Sequence, residues 1–125
     1  MNDIKDLIGK TLQSVEVDKD GEEIIFTTTD GRKFRMFHMQ DCCESVTVDD
    51  ICGELKDIIG AEIVKAEEVT NENENPSGVP QKEYQESFTW TFYKIYTAKG
   101  NVTIRWYGES NGYYSESVEF VEIEK

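Results

Sequence analysis

Basic residues are scarce in this chain. Lysine and arginine total 13 against 26 acidic residues among 125, a net charge of −13, and the sequence pI is near 4.4. That balance excludes the basic face with which nucleic-acid-binding modules meet phosphates. It equally excludes docking on an anionic membrane surface. Cysteine is rare too. The three thiols are an odd number and two are adjacent, Cys42 and Cys43, which suits no closed disulfide framework. With His38 the only histidine and no Cys-x-x-Cys pair, the paired-ligand signature of a structural zinc site is missing. No leader-like segment and no long apolar run is present, so a soluble protein in a reducing, cytoplasmic setting is expected, without a membrane. A glycine-rich phosphate loop is also lacking, because Gly108 and Gly112 do not lie between a strand and a helix.

What is present is enough for one domain. At 38% hydrophobic and 11% aromatic, 125 residues can bury a core without staples. The surplus acid fits solubility alone. It also fits a partner with a basic surface, such as the nucleic-acid groove of another protein.

Asp3 is placed to cap a short helix with Ile4, Leu7 and Ile8 on one face, ended by Gly9. Strands are expected over Thr11 to Val17, Glu23 to Thr28 and Arg32 to Met39, joined at Asp20-Gly21 and Asp30-Gly31. Val46 and Val48 extend the pattern briefly. Asp49 then reads as the cap of a second helix, with Ile51, Leu55, Ile58 and Ile59 on one face and Gly60 at its end. Ala61 to Val69 reads as a strand. Residues 70–87 hold both prolines and little to bury, so an exposed loop is expected. Phe88 to Thr97 is an aromatic strand that Lys99-Gly100-Asn101 turns into the next. Val102, Ile104 and Trp106 alternate with Thr103, Arg105 and Tyr107, and Asn111-Gly112 is expected to fold this stretch into a hairpin. In the last strand the apolar phase slips between Phe120 and Val121, so a bulge or a strand edge is expected there.

Two halves repeat one order. Lys5-Asp-Leu-Ile-Gly9 resembles Lys56-Asp-Ile-Ile-Gly60. Phe34-Arg-Met-Phe37 matches Ile104-Arg-Trp-Tyr107. Glu44-Ser-Val46 matches Glu116-Ser-Val118. The expected fold is α+β, a single domain over 1–125. It is mainly antiparallel β-sheet built from two related halves, 1–50 and 51–125, each with a short helix. So small a repeat cannot close a core alone, and the halves should pack together about a pseudo-twofold axis.

The words Gln40-Asp-Cys-Cys-Glu-Ser-Val46, Trp90-Thr-Phe-Tyr-Lys94 and Ile104-Arg-Trp-Tyr-Gly-Glu-Ser-Asn-Gly-Tyr-Tyr-Ser-Glu116 are distinctive together. They resemble a family of small acidic proteins of phages and bacterial genomes that has no assigned activity. The resemblance implies a phage or mobile-element origin, and with it a place in the host cytoplasm and interference with a host protein. It carries over no catalytic residue.

His38, Asp41, Cys42, Cys43, Glu44 and Cys52 gather metal-ligand and nucleophile side chains. Without paired ligands or an orienting group beside them, Cys43 and Cys52 read as small core residues and His38 as an inward or edge residue on a strand. No metal, cofactor or enzymatic activity is expected. Arg35 and Arg105, at matching places in the repeat, read first as members of inter-strand ion pairs. A second reading has them converge on one anionic ligand, for instance a nucleotide, with Trp106, Tyr107, Tyr113 and Tyr114 as stacking faces. The expected binding surface is the pair of polar corners after the long strands. It comprises Arg105, Tyr107, Glu109, Ser110, Asn111, Tyr113 and Tyr114, with Arg35, Gln40 and Asp41 from the first half. A non-enzymatic protein that binds and inhibits a host protein is the leading expectation.

Overall fold

The computed structural model describes residues 3–39, 44–72, 87–110 and 116–123. The first element, η1, is a 3-10 turn at Ile4–Leu7. The Asp3 carboxylate accepts from Lys5 N–H and the Asp6 carboxylate from Asp3 N–H, so both ends of a capping box are made. Strands β1 (Leu12–Val17), β2 (Glu23–Thr28), β3 (Lys33–Phe37) and β4 (Ser45–Cys52) follow. A second 3-10 turn, η2, covers Leu55–Ile58, and then come β5 (Ile63–Glu72), β6 (Ser87–Thr97), β7 (Gly100–Ser110) and β8 (Glu119–Ile123).

The fold is therefore mostly antiparallel β-sheet, and both expected helices are corrected to single 3-10 turns. Four residues cannot offset the cost of helix nucleation. At the second of them the expected boundaries were also wrong. Asp49 caps nothing. It lies within β4, where Ile51 pairs with Ile104 and Thr47 with Tyr107. β-branched residues with a long partner strand beside them prefer that ladder to a helix. The carbonyls that end η2 are met by Lys99, whose Nζ donates to Lys56 O at 3.0 Å and Ile59 O at 2.8 Å.

The eight strands form two sheets, ordered β1-β2-β3-β8 and β4-β7-β6-β5. Exchange the halves, so that β1 becomes β5, β2 becomes β6, β3 becomes β7 and β4 becomes β8, and each order turns into the other. Each half therefore gives its last strand to the other half's sheet. The hydrogen bonds reciprocate in the same way. Gly9 N–H donates to Ile63 O at 2.8 Å and Gly60 N–H to Leu12 O at 2.9 Å. Both glycines have positive φ, 88° and 81°. Irregular pairing falls at Leu12/Ser14 in β1 and at Ile63/Lys65 in β5.

This exchange corrects the hairpin expected across Asn111-Gly112. β7 does run to Ser110, but β8 pairs with β3 in the other sheet. The pairing of Met36 with Phe120 and of Arg35 with Val121 is continuous, so no bulge interrupts β8, which lies at the sheet's edge.

One core joins the sheets. Ile24, Phe26, Phe34, Met36 and Phe120 from the first meet Ala66, Tyr93, Ile95, Val102, Ile104 and Trp106 from the second. Phe34 and Phe120 stack at 5.4 Å between centroids. The matched residues Met36 and Trp106 touch, with the indole N–H directed at Sδ 3.1 Å away. Burial raises the Tyr93 hydroxyl pKa well above the usual phenol range, with Glu68 adding to the effect. Among the described residues no helix is long and apolar enough to cross a membrane.

Candidate functional site

Because the last strand of each half changes sheets, the chain crosses twice between them: once after β3 toward β4, and once after β7 toward β8. The two crossovers meet at one end of the molecule. His38, just past β3, places Nδ1 2.7 Å from the carbonyl oxygen of Ser117, which leads into β8. Gly108 in β7 lies against the same segment. A Cβ there would sit 2.8 Å from Glu116 O and 3.0 Å from Val46 Cγ2, so only glycine permits the approach.

The matched glutamates, Glu44 and Glu116, both turn into this end. Glu116 is held by hydroxyls, with Thr89 Oγ1 donating at 2.8 Å and Ser110 Oγ at 2.6 Å. Glu44 is fully enclosed, and its Oε2 faces His38 Nε2 at 3.4 Å. The histidine side chain is 4% exposed. Sequence reasoning weighed His38 and Glu44 as possible ligands or a nucleophile's neighbours, read His38 first as a strand residue, and did not find their contact.

Beside His38, on the outward face of the first sheet, opens a groove of about 340 Å³. Asp18, Glu22, Glu23, Arg35, Phe37, His38 and Met39 line it. Its walls follow from strand alternation: Phe34 and Met36 point to the core, so Arg35 and Phe37 lie on the opposite face, where Phe37 is still buried. Arg35 Nε donates to Glu23 Oε2 at 2.7 Å, and its guanidinium carbon lies 3.8 Å from the centre of the Phe37 ring. Met39 is 64% exposed at the rim.

The expected site residues divide. Arg105 is on the outward face of the second sheet, where Nε and Nη2 reach Asp49 Oδ2 at 2.8 and 2.5 Å and the guanidinium lies over Trp90. Arg35 and Arg105 thus hold inter-strand ion pairs on two different sheets, and the described residues do not bring them to one cavity. Tyr107 packs on Trp90 and Phe88 and donates to Glu109 Oε2 at 2.8 Å. Ser110 is buried on Glu116. Trp106 is a core residue, so it is no stacking face. Gln40, Asp41, Asn111, Tyr113 and Tyr114 lie outside the described residues, as do Cys42, Cys43 and most of the expected loop 70–87, although residues 70–72 belong to β5. Cys52 is corrected from core to exposed, at the end of β4. Among the described residues no three His, Cys, Asp or Glu side chains are grouped to hold a metal ion.

Arg32, the remaining arginine, is bidentate to Glu122, with Nε at 3.0 Å and Nη2 at 2.5 Å. That contact raises the guanidinium pKa and lowers the carboxylate's. The Thr28 hydroxyl lowers the Asp30 carboxyl.

The geometry defines a two-sheet antiparallel β protein in which β4 and β8 each complete the sheet of the other half, with an acidic groove beside His38. The family model for a domain of unknown function, DUF7448, matches residues 5–120, and the chain belongs to that family. No curated protein and no solved structure matches the chain.

Proposed function

We propose that this chain is a non-enzymatic binding protein that engages a basic surface on another protein. The observation that carries this reading is the state of its arginines. All three are already matched by carboxylates: Arg32 by Glu122, Arg35 by Glu23 and Arg105 by Asp49. The uncompensated charge is therefore acidic, and the groove follows suit, since Arg35 balances Glu23 and leaves Asp18 and Glu22. A field of that sign steers and selects a basic partner. The resemblance to phage-borne proteins supports a host protein as the partner and its inhibition as the outcome. The sequence around Glu109, Asn111, Tyr113 and Tyr114, rich in polar and aromatic residues, suits the same reading. Among the described residues Arg35 and Arg105 share no cavity, so nothing there supports a shared anionic ligand.

Affinity capture from infected cells, with mass spectrometry, tests the reading. The expected result is a basic protein whose association slows steeply with added salt. Asp18→Asn with Glu22→Gln should weaken it about tenfold, and Tyr113→Ala with Tyr114→Ala by on the order of 2 kcal/mol. Salt-independent capture, or a small anionic molecule released on denaturation, would count against it.

A further inference from the structure

We infer that the outer edge of β5 is a self-association site, where two copies of this chain join their second sheets antiparallel, β5 to β5. β5 runs over Ile63–Glu72 and is the edge of its sheet beyond β6. The lead-in to β1 closes that edge only at its start. Thr11 bridges Glu62, Ile63 N–H donates to Lys10 O and Gly9 N–H to Ile63 O, both at 2.8 Å. Among the described residues no backbone bond from that side reaches further along the strand. The register says which groups remain. Thr97 and Gly100 close the two-residue turn between β6 and β7, so Thr97 turns its backbone groups to β7, while Tyr96, Lys94 and Phe92 turn theirs to β5. Their partners Lys65, Glu67 and Val69 therefore face β6. Ala66, Glu68 and Thr70 face outward. Such a row of unpaired N–H and C=O groups is a template for another strand.

The matched edge of the first half is guarded, and this one is not. Counting across each sheet from the matched arginines, Arg35 pairs with Ile25 and Ile25 with Glu16. Arg105 pairs with Phe92 and Phe92 with Val69. A carboxylate on an edge strand discourages pairing. β5 offers there a valine 39% exposed. Charge then selects the register. A twofold antiparallel pairing is centred on one residue facing its own copy. Centred on Lys65, Glu67 or Glu68, it sets two like charges face to face. Centred on Thr70, it sets Glu68 against Glu72 of the second copy. Centred on Ala66, it drives Val69 of the second copy against Ile63, whose N–H and C=O are already held by Lys10 and Gly9. Centred on Val69, it sets valine on valine, Glu67 on Asn71 and Glu68 on Thr70, with no like charges opposed. That ladder spans Ala66 to Glu72 and stops short of Ile63. The strand is thus self-complementary at one register, over the part of the edge that β1 leaves open. With a net charge of −13 on each copy, the rest of the surface repels, and salt weakens that repulsion. The groove lies on the other sheet, so this association is independent of what the groove binds.

Sedimentation equilibrium of the intact chain, at low and at high salt, tests the inference. The expected result is a monomer–dimer equilibrium that tightens as salt rises, opposite in sign to the capture of a basic partner. Val69→Glu copies the guard at Glu16 and sets two carboxylates face to face. It should weaken the dimer about tenfold or more, with the far-ultraviolet circular dichroism unchanged. Asn71→Lys meets Glu67 of the other copy twice across the twofold. It should tighten the dimer several-fold more than Asp20→Asn, which changes the net charge equally from the turn between β1 and β2. Should V69E fail to fold, the comparison of N71K with D20N decides. A monomer at every salt concentration overturns the inference and leaves the edge to a strand of another protein. A dimer that folded V69E leaves unchanged, or one that N71K and D20N tighten alike, overturns it as well.

Discussion

Trp106→Ala is the sharpest probe of the shared core. The ring is fully buried. Its neighbours across the ladder are Val48 on β4 and Thr91 on β6, and its indole N–H meets Met36 of the other sheet at 3.1 Å. Removing a buried large aromatic costs about 3–5 kcal/mol, more where the walls cannot close. Here the walls are two hydrogen-bonded sheets, so the upper part of that range applies, about 4 kcal/mol or more. A domain of this size has a total stability of about 10 kcal/mol. With a urea slope of about 1.5 kcal/mol per molar, the midpoint should fall by about 2.7 M or more. Trp106→Phe keeps most of the ring and loses only the contact to sulfur and part of the volume, so it should cost about 1–2 kcal/mol. Urea unfolding by far-ultraviolet circular dichroism measures both. A loss below about 1.5 kcal/mol for the alanine variant, at unchanged slope, would show that the ring does not join the sheets.

Other expectations are simpler to state. Gly108→Ala should destabilise by about 1–3 kcal/mol, because the new methyl meets the Glu116 carbonyl and β7 must shift; a neutral result in thermal melting would show that the crossovers are not packed so tightly. The Glu122 and Asp30 carboxyls have pKa values lowered by Arg32 and Thr28 respectively, so their stabilising contribution is present above the ordinary carboxylate range and is lost as pH falls through the lowered values. Arg32→Gln should therefore flatten the loss of stability in acid, read from melting temperature against pH; an unchanged acid limb refutes the pairing in solution. Asp49→Asn leaves Arg105 over Trp90 but without its carboxylate, and since the pair is partly exposed the cost should stay within about 1 kcal/mol; chemical denaturation checks it.

Much of the fold was readable where local pattern and long-range pairing agree. Glu23 to Thr28 alternates cleanly and forms β2 with those same ends. The similar words Lys5 to Gly9 and Lys56 to Gly60 both hold 3-10 turns, and Met36 meets Trp106. The second helix misled because an edge strand carrying Asp49 and Asp50 looks like a capped turn followed by a helical face. What made it a strand was β7, more than fifty residues away, whose pairing no local window reports. Asn111-Gly112 misled in a related way, since a turn signal says that the chain bends and not which sheet it joins next.

The strand exchange also changes what counts as a sign of function. The corner after β7 is longer than the two residues a hairpin needs, and from sequence that length read as binding surface. In the folded chain β7 ends in one sheet and β8 lies at the edge of the other, and β3 and β4 are likewise in different sheets. A connection between sheets is not bound to the two residues of a hairpin turn. What topology does not demand is chemistry. A crossover could be closed with serine and threonine alone, as Glu116 is, held by Thr89 and Ser110. At the matched place the first half instead encloses a histidine against a carboxylate and opens beside them a groove of acids over an aromatic floor. The two corners follow the same order of strands and differ in that chemistry, so the proposed binding surface rests on the groove and not on corner length.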